Sequence, residues 1–293
     1  MSTKIYAAPG LKKYQERAIK NQYLKSDLKI EHIDSGVIAI DNATGAHGIF
    51  DKDGKFVKSS LQIRKDRGQF IPNENILNAE IPLIDSDVIY LGNVVDAYGH
   101  FLLENLNRAY VLLDKKYSGM KCVFINNVPD DFEMAYSPYQ FTDLLGIKRS
   151  DVIILNETTR FKSVIVPEQS FNIPVFSSKK FGETFLYMAD SVGGGSGHKK
   201  IYVSRGSLSV RKTYGERKIE EIFEKNGFYI AYPEKLPYDQ QVKLMKDCVE
   251  LAGAAGSALH WALFLKPGGR VIQIKRNSKY KDNFDVQHLI DIT

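Results

Sequence analysis

From residue 87 onwards, short apolar runs alternate with longer segments of helical periodicity, and this alternation restricts the fold more than any other feature of the sequence. The runs have the length and composition of buried strands, and the segments between them have the apolar spacing of amphipathic helices. Strands separated by helices pair in parallel, because the chain crosses back over the sheet before the next strand begins. The sequence therefore predicts an α/β protein with helices on both faces of parallel sheets.

Two series of predicted elements follow one another along the chain. The predicted strands are 87–93, 121–127, 151–156 and 163–168, and then 200–205, 228–234, 249–254 and 270–275. The predicted helices are 98–117 and 137–147, and then 216–227, 237–250 and 257–266. Two shorter strand-like runs, 36–42 and 48–57, come first, and the Asp53-Gly54 pair predicts a hairpin in the second run.

A glycine-rich stretch, residues 193–200, stands before the second series. It lacks the residue order of a phosphate-binding loop and precedes a strand, so we interpret it as a linker or a loop tip. A chain of 293 residues is long enough for two cores. We therefore expect two doubly wound halves, residues 1–175 and 176–293, that face each other across a cleft.

Positive charge is concentrated near the N-terminus. The net charge is +5, and residues 1–30 carry seven lysines and arginines against two acidic residues. A nucleic-acid-binding protein spreads its basic residues over the domain that contacts the polymer, so this distribution argues against a nucleic-acid partner. Residues 1–30 fit either a basic amphipathic helix at an anionic membrane surface or a helix with a solvated charged face.

The sequence shows no targeting signal and no zinc-site cysteine spacing, which predicts a cytoplasmic protein without a structural metal. No apolar run approaches the ~18 residues of a membrane span, and the first residues lack the apolar core of a secretion signal. Cys122 and Cys248 have no Cys or His neighbours at zinc-site spacing. We expect both to be small buried apolar residues.

The segment after strand 87–93 carries the first candidate site, because ligands of open α/β sheets bind beyond the carboxyl ends of the strands. His100, Glu104 and Arg108 are four residues apart, so one face of a helix would hold all three. An imidazole changes its charge near neutral pH, which makes His100 a candidate general base for a hydroxyl. Glu104 and Asp96 are the other candidates. The alternative is a solvent-facing ladder of charged side chains.

Two further segments follow predicted strands of the second half. Arg205, Arg211 and Lys212 lie in a Ser- and Gly-rich loop, where guanidinium groups could neutralise phosphate oxygens without a metal; a basic surface loop is the alternative. Gly256 and Ser257 begin a predicted helix, whose free N–H groups favour an anion. Glycine also serves close packing at such a turn, so this signal alone is weak.

In their order and spacing, these segments resemble glycosyltransferase family 61. The similar blocks, within residues 85–276, are Y-G-H-F-L-L-E-N-L-N-R, Y-V-S-R-G with the following R-K and Glu-rich helix, P-E-K-L, and L-A-G-A-A-G-S-A-L-H-W-A-L-F-L-K-P-G-G-R-V-I-Q-I. The resemblance implies two Rossmann-like domains in the GT-B arrangement. It also implies that residues 1–175 serve the acceptor and residues 176–293 bind the nucleotide sugar.

The same resemblance implies an activity. A sugar would pass, with inversion and without a metal or other cofactor, from a nucleoside-diphosphate sugar to a hydroxyl of a glycan or lipid-linked glycan acceptor. One of His100, Glu104 and Asp96 would serve the acceptor, and the donor-binding residues would be Arg205, Arg211, Lys212, Glu234, Gly256 and Ser257. The expected setting is synthesis of capsule or another bacterial surface polysaccharide, with residues 1–30 as a possible peripheral contact to the cytoplasmic face of the membrane.

Two departures from the family pattern keep other functions open. Ala255 and Trp261 stand where family members often have His and Asn, which would suit a homologue that binds a glycan or nucleotide sugar without turnover. In addition, Asp85 and Asp87 have the D-x-D spacing of metal-dependent transferases, although such pairs are common by chance and these precede their predicted strand. A metal-dependent transferase is therefore the third possibility.

Overall fold

The structure is a computed structural model, and it describes residues 26–64, 67–68, 70–94, 98–126, 138–172, 175–208 and 214–274. These residues form two compact units, of which the first ends at Phe181 and the second begins at Gly182. The assignment of the acceptor to residues 1–175 and of the donor to residues 176–293 stays a prediction.

Strands and helices are numbered in chain order. The strands are β1 Ile30–Asp34, β2 Val37–Asp41, β3 Ala46–Phe50, β4 Phe56–Val57, β5 Ile63–Arg64, β6 Arg67–Gly68, β7 Leu83–Val94, β8 Lys121–Asn126, β9 Val152–Leu155, β10 Thr159–Pro167, β11 Lys200–Val203, β12 Tyr229–Ala231, β13 Glu250–Ala254 and β14 Arg270–Ile274. The α-helices are α1 Tyr98–His100, α2 Pro138–Leu144, α3 Lys179–Ser191, α4 Glu216–Lys225 and α5 Tyr238–Lys246. The 3-10 helices are Lys58–Ser60, Glu74–Asn78, Ala109–Leu113, Lys115–Tyr117, Arg149–Asp151, Pro233–Lys235 and Ser257–Phe264, and Phe101–Asn105 is π-helical. Within the described ranges, no helix has both the length and the apolar composition needed to cross a membrane.

The first unit is built on a mixed eight-stranded sheet. Its strands lie in the order β4-β3-β2-β10-β7-β8-β9, and β1 also pairs with β10. The pairs among β10, β7, β8 and β9 are parallel, whereas β1, β2, β3 and β4 pair in antiparallel fashion. The predicted hairpin forms at Asp53-Gly54, where Asp51 N–H donates to the Lys55 carbonyl. The α/β class is confirmed, but the expectation of a wholly parallel first sheet is wrong.

The central strands of this sheet are covered on both faces. Residues 88–94 of β7 and 122–125 of β8 are buried without interruption. This explains their continuous apolar sequences, since parallel strands are packed by helices on both sides. Cys122 and Cys248 are free and fully buried, as predicted, and burial raises the pKa of each thiol to about 12.

The predicted helix 98–117 is not a single α-helix. One α-helical turn, α1, is followed by the π-helical stretch and then by two 3-10 helices. Phe101, Leu102 and Leu103 are buried one after another, which a helix with one apolar face would not allow. The changes of helical type turn Arg108 into the core and away from the face of His100. The prediction that Arg108 shares this face is therefore wrong.

The second unit has a parallel four-stranded sheet in the order β12-β11-β13-β14. Helix α4 connects β11 to β12, α5 connects β12 to β13, and Ser257–Phe264 connects β13 to β14. The predicted alternation is confirmed here, with a 3-10 helix in place of the last α-helix. Gly227 ends α4 in a left-handed conformation, with φ at 80°, and donates its N–H to the Glu224 carbonyl.

The glycine-rich stretch 193–200 lies inside the second unit. It is a loop held in place by hydrogen bonds, not a linker. Asp247, just after α5, accepts the N–H of Gly197 at 3.0 Å, and this bond is the main reason that the pKa of Asp247 is lowered. Lys246 Nζ donates to the Gly193 carbonyl at 2.7 Å. A Cβ atom on Gly195 would lie 2.2 Å from Oδ2 of Asp247, so a larger residue at this position would displace the Asp247 side chain.

Candidate functional site

His100 lies just beyond the carboxyl end of β7, at the edge where the parallel strands β10, β7 and β8 all end. This is the position at which open α/β sheets bind ligands. Residues 95–97 join β7 to α1, so Asp96, the third candidate base, lies outside the described residues. Its role stays a prediction.

His100 and Glu104 form a hydrogen-bonded pair. Nδ1 of His100 is 2.7 Å from Oε1 of Glu104, with the histidine side chain 37% exposed and the glutamate side chain 15% exposed. An ionised carboxylate only accepts hydrogen bonds, so when the imidazole of this pair is neutral its proton is on Nδ1 and Nε2 has the lone pair. A histidine oriented by a carboxylate in this way is the arrangement of a general base in hydroxyl activation. The pair can therefore accept a proton from a hydroxyl at Nε2.

Arg108, the third member of the predicted stripe, is fully buried and does not join the pair. Its guanidinium donates to the carbonyls of Ser59 at 2.8 Å, Leu61 at 2.8 Å and Ser60 at 3.3 Å, and also to that of Pro167. The solvent-facing ladder of His100, Glu104 and Arg108 is thus ruled out. Arg108 is therefore part of the buried interior of the first unit.

The second unit gathers its candidate residues at the carboxyl edge of the parallel sheet. Arg205 follows β11, Glu234 follows β12, and Gly256 and Ser257 follow β13. Arg205 is only 9% exposed, and a Cβ atom on Gly256 would lie 3.7 Å from its Nη1, so the guanidinium and the Gly256 backbone are neighbours. Ser257 begins the eight-residue 3-10 helix, whereas Glu234 is exposed in the turn Pro233–Lys235.

Glu216, at the start of α4, supports the backbone of Arg205. Its Oε1 accepts the Tyr202 hydroxyl at 2.8 Å and the Arg205 N–H at 3.0 Å. Burial, with this bond to Glu216, raises the pKa of Tyr202. Oε2 of Glu216 is buried and has no hydrogen-bond partner among the described residues. The loop after β11 is thus held by a carboxylate that the sequence analysis did not single out.

Glu220, one turn further along α4, holds the same loop. Its Oε1 accepts the hydroxyls of Ser204 and, at 3.1 Å, of Tyr232. A Cβ atom on Gly206 would lie 2.7 Å from this oxygen, so the loop passes close to the carboxylate. The signal in the sequence was the four-residue spacing of Glu216 and Glu220 directly after the Ser/Gly loop, which puts both on one helical face.

Arg211 and Lys212 fall within residues 209–213, outside the described part of the chain. Their proposed contacts with a donor stay predictions.

Asp85 and Asp87 lie inside β7, because this strand begins at Leu83. The expectation that they precede the strand is wrong. Both stand in its amino-terminal half, at the opposite end from His100, and Asp87 accepts the Ser163 hydroxyl at 2.7 Å while Lys162 Nζ lies 3.8 Å away. Within the described ranges, no group of three or more His, Cys, Asp or Glu side chains is arranged to hold a metal ion.

Ala255 and Trp261, the two departures from the resemblance, are both buried. Trp261 is 1% exposed and packs against Tyr238 and Phe264, with ring centroids 6.0 and 5.4 Å apart. Ala255 donates its N–H to the Ile274 carbonyl at 2.8 Å. The tryptophan therefore contributes to the core of the second unit.

Comparison with known proteins identifies the family. No curated protein matches the sequence. The family model of Glycosyltransferase 61 matches residues 98–272, which include His100, Glu104, Arg205 and Gly256. The match covers more than half of the chain and includes the candidate residues at the carboxyl ends of the strands in both sheets. The chain therefore belongs to the glycosyltransferase 61 family, and family membership indicates a glycosyltransferase.

Proposed function

We propose that the protein is an inverting, metal-independent glycosyltransferase that moves a sugar from a nucleoside-diphosphate sugar to a hydroxyl of a glycan or lipid-linked glycan. The observation that carries the choice of donor is the nearly buried guanidinium of Arg205 beside the backbone of Gly256. A guanidinium next to the free N–H groups at the start of a helix suits phosphate oxygens in both charge and hydrogen bonding. A diphosphate ligand could contact both groups together.

The chemistry assigned to these residues is a direct displacement. Nε2 of His100, oriented by Glu104, takes the proton of the acceptor hydroxyl. The hydroxyl oxygen attacks the anomeric carbon from the face opposite the diphosphate, so the configuration inverts. The electrons of the broken C–O bond leave with the diphosphate, whose charge Arg205 and the backbone at Gly256 and Ser257 stabilise.

The remaining assignments follow the family resemblance. Arg211, Lys212 and Glu234 would complete the donor site, and Asp96 is the alternative base. The proposal assigns the donor to the second unit and the acceptor to the first, as in the two-domain GT-B arrangement. The setting is synthesis of a capsule or another bacterial surface polysaccharide in the cytoplasm, with residues 1–30 as a peripheral contact to the membrane.

Thermal stabilisation by a panel of nucleotide sugars tests the donor site. A ligand present at about 100 times its dissociation constant adds ~2.7 kcal/mol to the free energy of unfolding. Arg205→Ala should weaken the binding of the stabilising donor by about 1.5–3 kcal/mol, the contribution of a hydrogen bond to a charged group. Arg217→Ala is the matched control, because the Arg217 side chain is 91% exposed. Equal stabilisation of the parent and Arg205→Ala would show that the loop is not the donor site.

A non-catalytic binding homologue is the second candidate function, and the presence of Ala255 and Trp261 where family members often have His and Asn favours it. An alanine side chain has no polar atom, and a tryptophan can donate one hydrogen bond but accept none, so neither reproduces a histidine or an asparagine. Such a homologue would be stabilised by a nucleotide sugar or a glycan yet release no nucleoside diphosphate when an acceptor is added. Acceptor-dependent release separates the two functions.

A further inference from the structure

Arg108 is a buried cation surrounded by main-chain carbonyls. The residue is 0% exposed, and all four hydrogen bonds that its guanidinium donates within the described residues go to carbonyl oxygens. Burial lowers the pKa of Arg108, while the nearby Tyr90, Tyr110 and Glu168 act in the opposite direction. Burying a charge is costly unless its donors are used. The carbonyls offset this cost only while they remain in place around the guanidinium.

The carbonyls come from two separate segments of the first unit. Ser59, Ser60 and Leu61 lie at the 3-10 helix Lys58–Ser60, and Pro167 is the last residue of β10. A guanidinium carries five N–H donors in one rigid plane, so it reaches both segments at once. Arg108 thereby fastens its own segment to both of them.

The fastened segment also carries His100 and Glu104. His100 ends the α-helical turn, Glu104 lies in the π-helical stretch that follows it, and the chain becomes 3-10 helical after Arg108. Such a segment lacks the continuous hydrogen-bond ladder that fixes a regular α-helix, so its position depends on outside contacts. One of these contacts is direct, because Nε2 of Gln62, next to Leu61, donates to the Glu104 carbonyl at 3.4 Å.

We propose that Arg108 is a positioning residue for the candidate base. It fixes residues 59–62 and its own segment, and Gln62 passes this constraint to Glu104, which orients His100. The inference rests on the proposed function. It predicts a loss in the chemical step from a residue that touches neither substrate.

Initial-rate kinetics of Arg108→Lys, with donor binding measured in parallel, tests this role. Lysine keeps the charge but cannot bond all four carbonyls in one plane. We expect kcat to fall by about 10²-fold, the loss that a misplacement of ~1 Å can cause, with unchanged donor affinity. Arg149→Lys is the matched control, because the Arg149 side chain is 70% exposed.

A double-mutant cycle with His100→Ala shows whether Arg108 acts through the histidine. If it does, Arg108→Lys should lower kcat much less in the His100→Ala background than in the parent, since the effects of substitutions at residues that act together are not additive. An equal fold-loss in both backgrounds, or an unchanged kcat, would overturn the proposal.

If Arg108→Lys does not fold, Gln62→Met decides, because it removes the bond to the Glu104 carbonyl and leaves the cation in place. An unchanged kcat of Gln62→Met would then overturn the proposal. Full turnover by His100→Ala alone would instead refute the proposed base.

Discussion

At the scale of single residues, His100 is the side chain on which the proposed chemistry depends. Replacing it with alanine removes the lone pair that would accept the hydroxyl proton. We expect kcat to fall by about 10²–10⁴-fold, the usual contribution of a positioned base. Donor affinity should stay unchanged, because Arg205 belongs to the second unit. Initial rates and nucleotide-sugar stabilisation, measured on the same preparation, check both parts.

The companion variants identify the base if His100 is not it. Glu104→Gln should have a smaller effect than His100→Ala when Glu104 only orients the ring, and a larger one when Glu104 is itself the base. A His100→Ala enzyme with full turnover would move the role to Glu104 or Asp96. Unchanged rates in His100→Ala, Glu104→Gln and Asp96→Asn would remove the catalytic role from this segment.

The four-residue spacing of His100, Glu104 and Arg108 predicted a side-chain contact only where the backbone stayed helical from one residue to the next. The spacing of His100 and Glu104 brings them together, because one turn separates them in α- and π-helical geometry alike. The same spacing failed for Arg108, because the backbone changes its helical type before reaching it. The spacing of Glu216 and Glu220 marks one face of α4, but the bond from the Arg205 N–H to Glu216 was not predictable, since the sequence does not show which backbone N–H a carboxylate will accept.

At the scale of elements, the glycine-rich loop should depend on its contact with the end of α5. Gly195→Ala would put a Cβ atom 2.2 Å from Oδ2 of Asp247, which must then move and lose its bond to Gly197. We expect the free energy of unfolding to fall by about 1 kcal/mol, the typical contribution of one hydrogen bond. Denaturant unfolding curves measure this change.

Gly194→Ala is the matched control for this substitution. A Cβ atom at Gly194 meets no atom within 4 Å, so the control should unfold like the parent. Equal unfolding midpoints for Gly195→Ala and the parent would show that Asp247 does not fasten the loop.

Strands were predicted better than helices, and β7 and the segment after it show why. The apolar run 87–93 marks the part of β7 that is buried on both faces, but the strand starts at Leu83, where its residues alternate between exposed and half-buried. Pairing of Leu83 with Arg160 of β10 extends the strand there, and this partner is remote in sequence. The π-helical and 3-10 geometry after α1 also depends on tertiary contacts that apolar periodicity does not encode.

At the scale of the whole molecule, the sequence predicted the α/β fold class and the parallel sheet of the second unit, but not the mixed sheet of the first unit. Periodicity marks a strand, whereas its direction depends on how the chain returns to the sheet. Here β10 receives antiparallel partners from the N-terminal strands on one side and the parallel β7 on the other. A short apolar run such as 36–42 is compatible with either direction.

The proposed membrane contact depends on the basic N-terminus. Removing residues 1–25 takes away six of the seven basic residues of 1–30 and leaves β1, whose Ile30 pairs with Pro167. Co-sedimentation with anionic vesicles should decrease, because each basic residue near such a surface contributes about 1 kcal/mol. Activity on a soluble acceptor should remain. A full-length variant with Lys12, Lys13, Lys20 and Lys25 changed to Gln separates charge from length. Equal vesicle binding by the truncated and full chains would refute the contact.

Acceptor-dependent release of nucleoside diphosphate is the measurement that decides the proposed function. The parent enzyme, with a nucleotide sugar that stabilises it, a glycan acceptor and EDTA, should release the diphosphate and form a glycoside of inverted anomeric configuration. His100→Ala and Arg205→Ala should both lose this release, the first while still binding donor. Donor binding without acceptor-dependent release would contradict catalysis and identify a binding homologue. Release that stops with EDTA and returns with a divalent cation would contradict metal-independent transfer.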